Sequence, residues 1–439
     1  MGIHRPGSRA RTARRIRRGR RLAVPLVGAI VTAGLAACSS APQGTVINLY
    51  GGTSSVGFDK IIAQCNQAAA GRYTIVGNLL PSDADSQREQ LVRRLAARDT
   101  GMDLLGMDVT WTAEFAEADW IRPLSETQKA QANEGVLTPQ IATATWKDVQ
   151  YGIPKHTNVQ ILWYRKSLVP KPPETWDEMI QMAQQLKAEG KPYEIGLTAS
   201  QYEGYVVNVN NFFNAYGATF VNEDSTQATV NDKAVQALTL LKKLATSGVT
   251  SPSLSNAQEP EVFADLEAGR SAFSVNWPYV LSAMRSAAET NPRAQQIADG
   301  LGYTTFPVVN RGDVPRVTLG GMNYAVSTFS THPAESYEAA MCLRSPEHQL
   351  QAALDAGDAP VLEELYRSNA QFREAYPMGD VMLEELQHAV PRPPTPVYQN
   401  ISTTVSYTLS PPSEINPQQD AQTLNESIQN AIDGKGILP

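Results

Sequence analysis

The chain has 439 residues, with 37 lysines and arginines against 44 aspartates and glutamates, and its formal charge is −7. That length indicates more than one domain or lobe. Nine of the basic residues lie between Arg5 and Arg21, so the chain from Cys38 onward has 28 basic against 44 acidic residues, a formal charge of −16. An acidic surface repels nucleic acid and no basic stripe offsets it, so we expect no nucleic-acid partner.

The first 37 residues are typical of a secretory signal peptide. The arginines precede an apolar stretch, Leu22 to Ala37, which is shorter than the roughly 20 residues of a membrane span. Leu35-Ala36-Ala37-Cys38 resembles the bacterial lipobox, in which the cysteine is lipidated and becomes the new N-terminus. We expect an exported protein with a tether over residues 38–44, held at the outer face of the cytoplasmic membrane by the lipid alone. The alternative is an ordinary signal peptide with an incidental cysteine, and the export route (Sec or twin-arginine) stays open.

The cysteine count suits an oxidising compartment. Three cysteines are present, and if Cys38 is lipidated, Cys65 and Cys342 remain as an even pair. We expect a disulfide between them, although the sequence cannot give their distance. Two buried free thiols are the alternative.

The segment that follows alternates between strand and helix. The pattern predicts a strand at 46–50, a helix at 58–70, a strand at 73–79, a helix at 86–98 and a strand at 104–107. This alternation indicates a parallel sheet in an α/β fold, whose ligands bind beyond the carboxyl ends of the strands.

The alternation continues downstream. Thr175-Trp176-Asp177-Glu178 is a typical helix start. The further predicted elements are strands at 161–164, 271–276 and 317–326 and helices at 175–188, 205–215, 234–247, 263–269 and 421–432. We find no internal repeat.

Several motifs resemble one family, the extracellular solute-binding proteins of ABC importers. They are Tyr151-Gly152-Ile153-Pro154 with Asn158 and Leu162-Trp163-Tyr164, Thr175-Trp176-Asp177-Glu178, Ala268 to Phe273, and Leu319-Gly320-Gly321-Met322-Asn323. The resemblance implies a two-lobed type II periplasmic-binding-protein-like α/β fold with crossing hinge strands. It predicts lobe 1 at 45–153 plus 319–372 and lobe 2 at 154–318 plus 373–439.

Three other segments resemble the trehalose-binding lipoproteins of mycobacteria, a group within that family. They are Met107 to Ala118, Val275-Asn276-Trp277-Pro278 and Arg392 to Gln399. The resemblance implies a monomeric receptor that binds trehalose between its lobes and delivers it to membrane permease subunits. Maltose or another disaccharide is the alternative ligand. Some members have an acidic residue in the first-strand loop, where this chain has Ser54-Ser55.

A sugar pocket needs carboxylates, amides and guanidinium groups to bind hydroxyls, and aromatic rings to cover the apolar sugar faces. The candidates are residues of these types at strand ends and hinges, together with glycines that let a ligand approach the backbone closely. They are Asp108, Asn158, Glu203, Asn276, Trp277, Gly321 with its neighbour Gly320, and Arg392.

Each candidate also has an ordinary structural interpretation. Asp108 could cap the helix from Thr112, and Asn158 could be a turn residue. Trp277 could be core, Gly320-Gly321 a bulge, Arg392 a solvated loop residue, and Glu203 a partner of a helix dipole. Gln87 is interpreted as an exposed first-turn residue.

Enzyme motifs are absent from the sequence. It contains no Gly-x-Ser-x-Gly, no phosphate-binding glycine loop, no His-Glu-x-x-His and no Cys-x-x-Cys. We therefore expect neither catalysis nor a cofactor nor a metal. The rivals are a secreted glycosidase with Asp103 and Asp108 as its carboxylates, and an adhesion or scaffold lipoprotein.

Overall fold

A computed structural model describes residues 44–51 and 57–435. The predicted signal peptide, the lipidation site Cys38 and the loop serines Ser54 and Ser55 lie outside these ranges. Within them, no helix combines the length and the apolar composition needed to cross a bilayer.

The strands of the described chain are β1 Thr45–Gly51, β2 Tyr73–Leu79, β3 Leu104–Asp108, β4 Thr145–Trp146, β5 Val149–Gln150, β6 Ile153–Asn158, β7 Ile161–Arg165, β8 Glu194–Gly196, β9 Ser271–Asn276, β10 Leu301–Thr304, β11 Thr318–Val326 and β12 Val390–Pro391. Strands β4 and β5 pair with each other, and the rest form two main sheets. The first sheet has the order β12-β11-β3-β1-β2, with β6 also paired to β11. The second has the order β10-β7-β9-β8.

Helices cover these sheets. The first group is α1 Phe58–Ala68, α2 Ala84–Ala96, α3 Thr112–Glu117, α4 Glu126–Asn133, α5 Thr138–Thr143, α6 Trp176–Ala188, α7 Glu203–Tyr216, α8 Asp232–Thr246 and α9 Glu259–Glu267. The second group is α10 Tyr279–Ala288, α11 Pro292–Gly300, α12 Pro333–Leu343, α13 Pro346–Ala356, α14 Glu363–Ser368, α15 Ala370–Ala375, α16 Gly379–His388, α17 Tyr398–Thr408 and α18 Pro417–Ile432.

The predicted strand–helix–strand–helix–strand unit is confirmed. Strand β1 pairs in parallel with both β2 and β3. Its buried residues Ile47 and Leu49 share a core with Ile61 of α1. The predicted start of α6 is also confirmed, because the Thr175 hydroxyl accepts the backbone N–H of Glu178. The unit places the carboxyl ends of β1, β2 and β3 at one edge of the sheet.

Two of the predicted lobe limits fall inside units of the structure. Strand β6 pairs antiparallel with β11, and the predicted limit after Ile153 falls inside β6. The limit at 372 divides an aromatic cluster. The ring of Phe372 lies 4.7 Å from that of Tyr366 and 4.6 Å from that of Tyr376, between centroids.

Cys65 of α1 and Cys342 of α12 are joined by a disulfide, with their Cα atoms 5.9 Å apart. The bond links the helix that follows β1 to the helix that follows β11. The imidazole Nδ1 of His348 lies 3.6 Å from the Cys65 sulfur. The first-lobe helices are therefore covalently linked next to the strands that reach the cleft.

A buried carboxyl in the second lobe predicts a pH dependence of stability. Glu385 of α16 accepts the backbone N–H of Phe306, and burial raises its pKa to about 8. The raised pKa adds stability that is fully present below the unfolded pKa near 4.5 and is lost as the pH rises through about 8. We expect the free energy of unfolding to fall between about pH 4.5 and pH 8 by up to about 1.4 kcal/mol per pH unit, the slope for one proton.

Glu385→Gln should remove this slope, as measured by urea unfolding between pH 5 and 9. Glu374→Gln, a change at an exposed glutamate of α15, is the matched control and should keep the slope. An unchanged slope in Glu385→Gln would contradict the prediction.

Candidate ligand-binding cleft

The candidate residues collect where the two sheets meet. Asp108 ends β3, and Asn158 ends β6 opposite Gly320 of β11. Asn276 ends β9 of the second sheet, and Trp277 follows it. Open α/β sheets bind ligands at such strand ends.

Three candidates form one buried ion-pair network across this junction. The Arg392 guanidinium donates to Asp108 Oδ1 at 3.1 Å and, through its other terminal nitrogen, to Glu203 Oε1. Glu203 also accepts hydrogen bonds from the Tyr398 hydroxyl, at 2.7 Å, and from the Ser402 hydroxyl. Asp108 belongs to the first sheet, whereas Glu203 begins α7 beside the second, so Arg392 links the two lobes.

Burial governs the electrostatics of this network. The side chains of Arg392, Glu203 and Asp108 are 3%, 8% and 20% exposed. Burial raises the pKa of Glu203, although the positive charge of Arg392 opposes the rise. A neutral polar ligand at Asp108 would therefore meet strong, poorly hydrated charges.

Asp108 does not cap the following helix. Its Oδ1 accepts the backbone N–H of Thr110 at 3.0 Å and the Thr110 hydroxyl at 2.8 Å. The N-cap residue of α3 is Trp111, which makes no side-chain capping bond. The capping interpretation is wrong, and Arg392 with Thr110 holds the carboxylate at the end of the strand.

Trp277, Gly320 and Asn158 form a second group at the crossover. A Cβ atom added to Gly320 would lie 3.1 Å from the indole ring of Trp277 and 3.4 Å from the Asn158 Cβ. The indole is half-buried, and its Nε1 lies 3.4 Å from Glu259 Oε1, to which it donates. Gly320 thus lets the ring approach the first sheet, and part of the ring stays accessible.

Two further candidates have local structural roles. Asn276 is buried, and its Oδ1 accepts the backbone N–H of Trp277 at 2.8 Å, which holds the turn that orients the indole. Gly321 has φ +126°, and a Cβ there would lie 2.3 Å from the His156 carbonyl oxygen and 2.4 Å from Gln140 Nε2. The backbone conformation and the packing around Gly321 therefore require glycine there, whether or not a ligand binds nearby.

A cavity of about 450 Å³ lies at the strand ends of the first sheet, and of the candidate binding residues only Asn158 lines it; the network of Asp108, Glu203 and Arg392 and the ring of Trp277 do not. Its lining includes Asn158, the aromatic residues Phe58 and Tyr279, and Leu79, which is 66% exposed. Gln87 also lines it and is 8% exposed, so the interpretation of Gln87 as an exposed residue is wrong. Apolar walls with a few polar groups are typical of ligand pockets.

The cavity also contains a charged cluster that sequence reasoning missed. Lys155 Nζ lies 3.4 Å from Asp358 Oδ2 and 3.2 Å from His156 Nδ1. Burial lowers the pKa of His156 to about 4. Burial opposes ionisation of Asp358, but the adjacent His156 and Lys155 outweigh it and lower the pKa of that carboxyl. Lys155-His156 on the hinge strand was the available signal, but its partner is 203 residues away in sequence.

The model of one protein family, described as bacterial extracellular solute-binding protein, matches residues 58–350 of this chain. The chain belongs to this family. A probable ABC transporter-binding protein of Deinococcus radiodurans is 27% identical over 378 residues, which cover 82% of this chain and 86% of that protein. A putative binding protein of Brucella abortus is 24% identical over 199 residues, or 43% of this chain and 47% of that protein.

Solved structures share the fold. Maltose-bound MalE3 of T. maritima has a TM-score of 0.78 and 22% identity, with 88% of this chain and 99% of that chain covered. A solute-binding protein of Thermotoga lettingae bound to α-D-tagatose has a TM-score of 0.76 and 20% identity, with 88% and 100% covered. The acarbose-binding GacH receptor of Streptomyces glaucescens has a TM-score of 0.75 and 17% identity, with 89% and 98% covered. The fold is therefore the predicted two-lobed type II α/β fold.

The family consists of binding proteins, so the chain is not an enzyme. The positions of Asp103 and Asp108 also argue against the alternative of a glycosidase with these two carboxylates. Asp103 is 2% exposed, accepts the backbone N–H of Asn48 at 3.0 Å and binds the Ser330 hydroxyl. Asp103 precedes β3 and Asp108 ends it, so the two carboxylates lie at opposite ends of one strand.

Proposed function

We propose that this protein is the receptor of an ABC sugar importer and that it binds trehalose between its lobes. The observation that carries the proposal is the convergence of Asp108, Glu203 and Arg392 from three distant segments. The half-buried ring of Trp277 lies against Gly320 of the first sheet. Carboxylates and a guanidinium bind adjacent hydroxyls, and an indole covers the apolar face of a sugar. Asn158 and Gly320 complete the first-sheet side of this site.

The relatives support the role of a sugar-binding receptor for an ABC importer. The Deinococcus radiodurans relative carries the description of a transporter-binding protein, and the structures with the same fold hold maltose, tagatose or acarbose. Trehalose rests on the resemblance of Met107 to Ala118, Val275 to Pro278 and Arg392 to Gln399 to trehalose-binding lipoproteins. The receptor acts as a monomer and presents its closed lobes to permease subunits in the membrane.

A panel of sugars tests the ligand. Trehalose at 100 times its Kd should add about 2.7 kcal/mol to the free energy of unfolding, seen as a higher Tm. Maltose, tagatose and glucose are compared under the same conditions. A larger shift with maltose would replace trehalose as the ligand, and no shift with any sugar would overturn the proposed function.

Trp277→Ala should weaken trehalose binding by about 1–2 kcal/mol, roughly tenfold in Kd, because the stacking surface is lost. Isothermal titration calorimetry measures the change. Trp146→Ala is the matched control, since the Trp146 indole also donates to a glutamate, Glu117, but lies on the β4–β5 hairpin. Equal affinities for the two variants would mean that Trp277 does not contact the sugar.

We also propose that the receptor is anchored through a lipid on Cys38, which lies outside the described residues. Two acyl chains hold a protein stably on a membrane, whereas one binds only marginally. Cys38→Ala should move the protein from the membrane fraction to the medium, as measured by fractionation and immunoblotting. Unchanged fractionation would contradict the anchor and leave the sugar site untouched.

A further inference from the structure

The N-terminus of α7, which carries Glu203, lacks a cap from its own chain neighbours. Its N-cap residue, Tyr202, makes no side-chain capping bond, and the Tyr202 hydroxyl donates to Glu259. Helices α2 and α8 are capped locally, by Asp83 and Asn231, whereas α18 has no side-chain cap either. Unpaired N–H groups at a helix start favour a carboxylate, which also complements the helix dipole.

A carboxylate from the other lobe occupies this position. Asp85 Oδ2 accepts the backbone N–H of Glu203 at 3.3 Å, and Asp85 Oδ1 accepts the side-chain amide of Gln399 at 2.9 Å. Both carboxylate oxygens of Asp85 therefore accept a hydrogen bond. Their partners, Glu203 and Gln399, are 118 and 314 residues away in the sequence.

The elements involved belong to opposite lobes. Asp85 is the second residue of α2, whose Leu91 and Leu95 pack in the core of the first sheet. Helix α7 and Gln399 of α17 belong to the second lobe, where Tyr205 and Ile401 share one core. Separation of the lobes must break both hydrogen bonds of Asp85 together with the contact between Asp108 and Arg392.

We propose that Asp85 is a positioning residue that caps α7 across the cleft and holds the lobes closed around the ligand. This inference rests on the proposed sugar-receptor function and extends it. Asp85 binds the backbone of Glu203, whose carboxylate binds Arg392, so one residue couples closure to the geometry of the candidate site. The bonds form only when the lobes approach, so Asp85 stabilises the closed state and does not affect the encounter with sugar.

The expected signature is kinetic. Asp85→Ala should raise the dissociation rate of trehalose about tenfold, as expected for the loss of the charge-assisted cap on Glu203 together with the Gln399 hydrogen bond, and leave the association rate unchanged. Asp85→Asn keeps one carbonyl acceptor and should give an intermediate rate. Gln399→Ala should give a smaller increase, since the cap on Glu203 remains.

Stopped-flow fluorescence measures both rates, and small-angle X-ray scattering measures the radius of gyration with and without saturating trehalose. Asp380→Ala is the control, because it removes the same charge from an exposed first turn of α16, where that side chain is 79% exposed. We expect Asp85→Ala, but not Asp380→Ala, to have a larger radius of gyration than the wild-type protein.

Two outcomes separate this inference from the proposed function. Wild-type protein that binds none of the sugars overturns the function, whereas scattering still reports whether Asp85 closes the lobes. Asp85→Ala with wild-type dissociation rate and wild-type radius of gyration overturns the role of Asp85 and leaves the sugar site intact.

Discussion

Arg392→Ala is expected to abolish measurable trehalose binding and to lower the free energy of unfolding by about 3–5 kcal/mol. The Arg392 side chain is 3% exposed and is the cation between Asp108 and Glu203. Its removal leaves the buried Glu203 carboxylate without its cation, accepting hydrogen bonds from the Tyr398 and Ser402 hydroxyls. It also releases the Asp108 carboxylate from the geometry that the candidate site requires. Calorimetry measures the affinity, and urea unfolding measures the stability.

The controls for Arg392 separate charge from packing. Arg367→Ala breaks an exposed pair with Glu363 and should change stability by less than about 0.5 kcal/mol. Glu203→Gln introduced together with Arg392→Ala should recover part of the lost stability, because the more deeply buried of the two carboxylates is then neutral. Wild-type stability and affinity in Arg392→Ala would contradict the network as both a structural and a binding element.

Loss of the disulfide is expected to have the second large effect. The Cys65–Cys342 bond closes a loop of 277 residues, for which the chain-entropy model gives about 5–6 kcal/mol of stability. Cys65→Ser combined with Cys342→Ser should lower the free energy of unfolding by an amount of this order. The bond links α1 and α12, which share the first-lobe core, so that lobe should lose stability most.

Urea unfolding of exported protein, with and without reductant, measures this effect. Cys38→Ser is the matched control, because it replaces a cysteine outside the loop and should leave stability unchanged. If alkylation and mass spectrometry found two free thiols in unreduced exported protein, or if the double variant unfolded like wild type, the disulfide would not stabilise the fold.

Local patterns predicted the elements well. Apolar spacing identified β1 to β3 with their helices to within a few residues, and the Thr175 motif identified the start of α6. The residue types at strand ends also pointed to Asp108, Glu203 and Arg392, which the structure brings together. The pattern did not reveal that Arg392 would bridge two carboxylates, because the three residues are far apart in sequence.

Other parts of the site depended on strand pairing. Strand β6 looks like a crossing segment in the sequence, and only the structure shows that it pairs antiparallel with β11, with Asn158 opposite Gly320. Gly321 looks like a ligand-approach glycine, but Gln140 and the His156 carbonyl fill the space beside it. Gln87 is buried because its helix turns that side towards the cavity.

The sequence by itself determined the export signal motif, the α/β alternation and the residue types available at the strand ends. These follow from composition and from helical and strand periodicity, which depend on residues only a few positions apart. Only the tertiary structure decided that Asp358 meets Lys155 and that Asp85 meets Glu203 and Gln399. Such contacts depend on strand register and on how the chain crosses between lobes, and a local pattern contains neither.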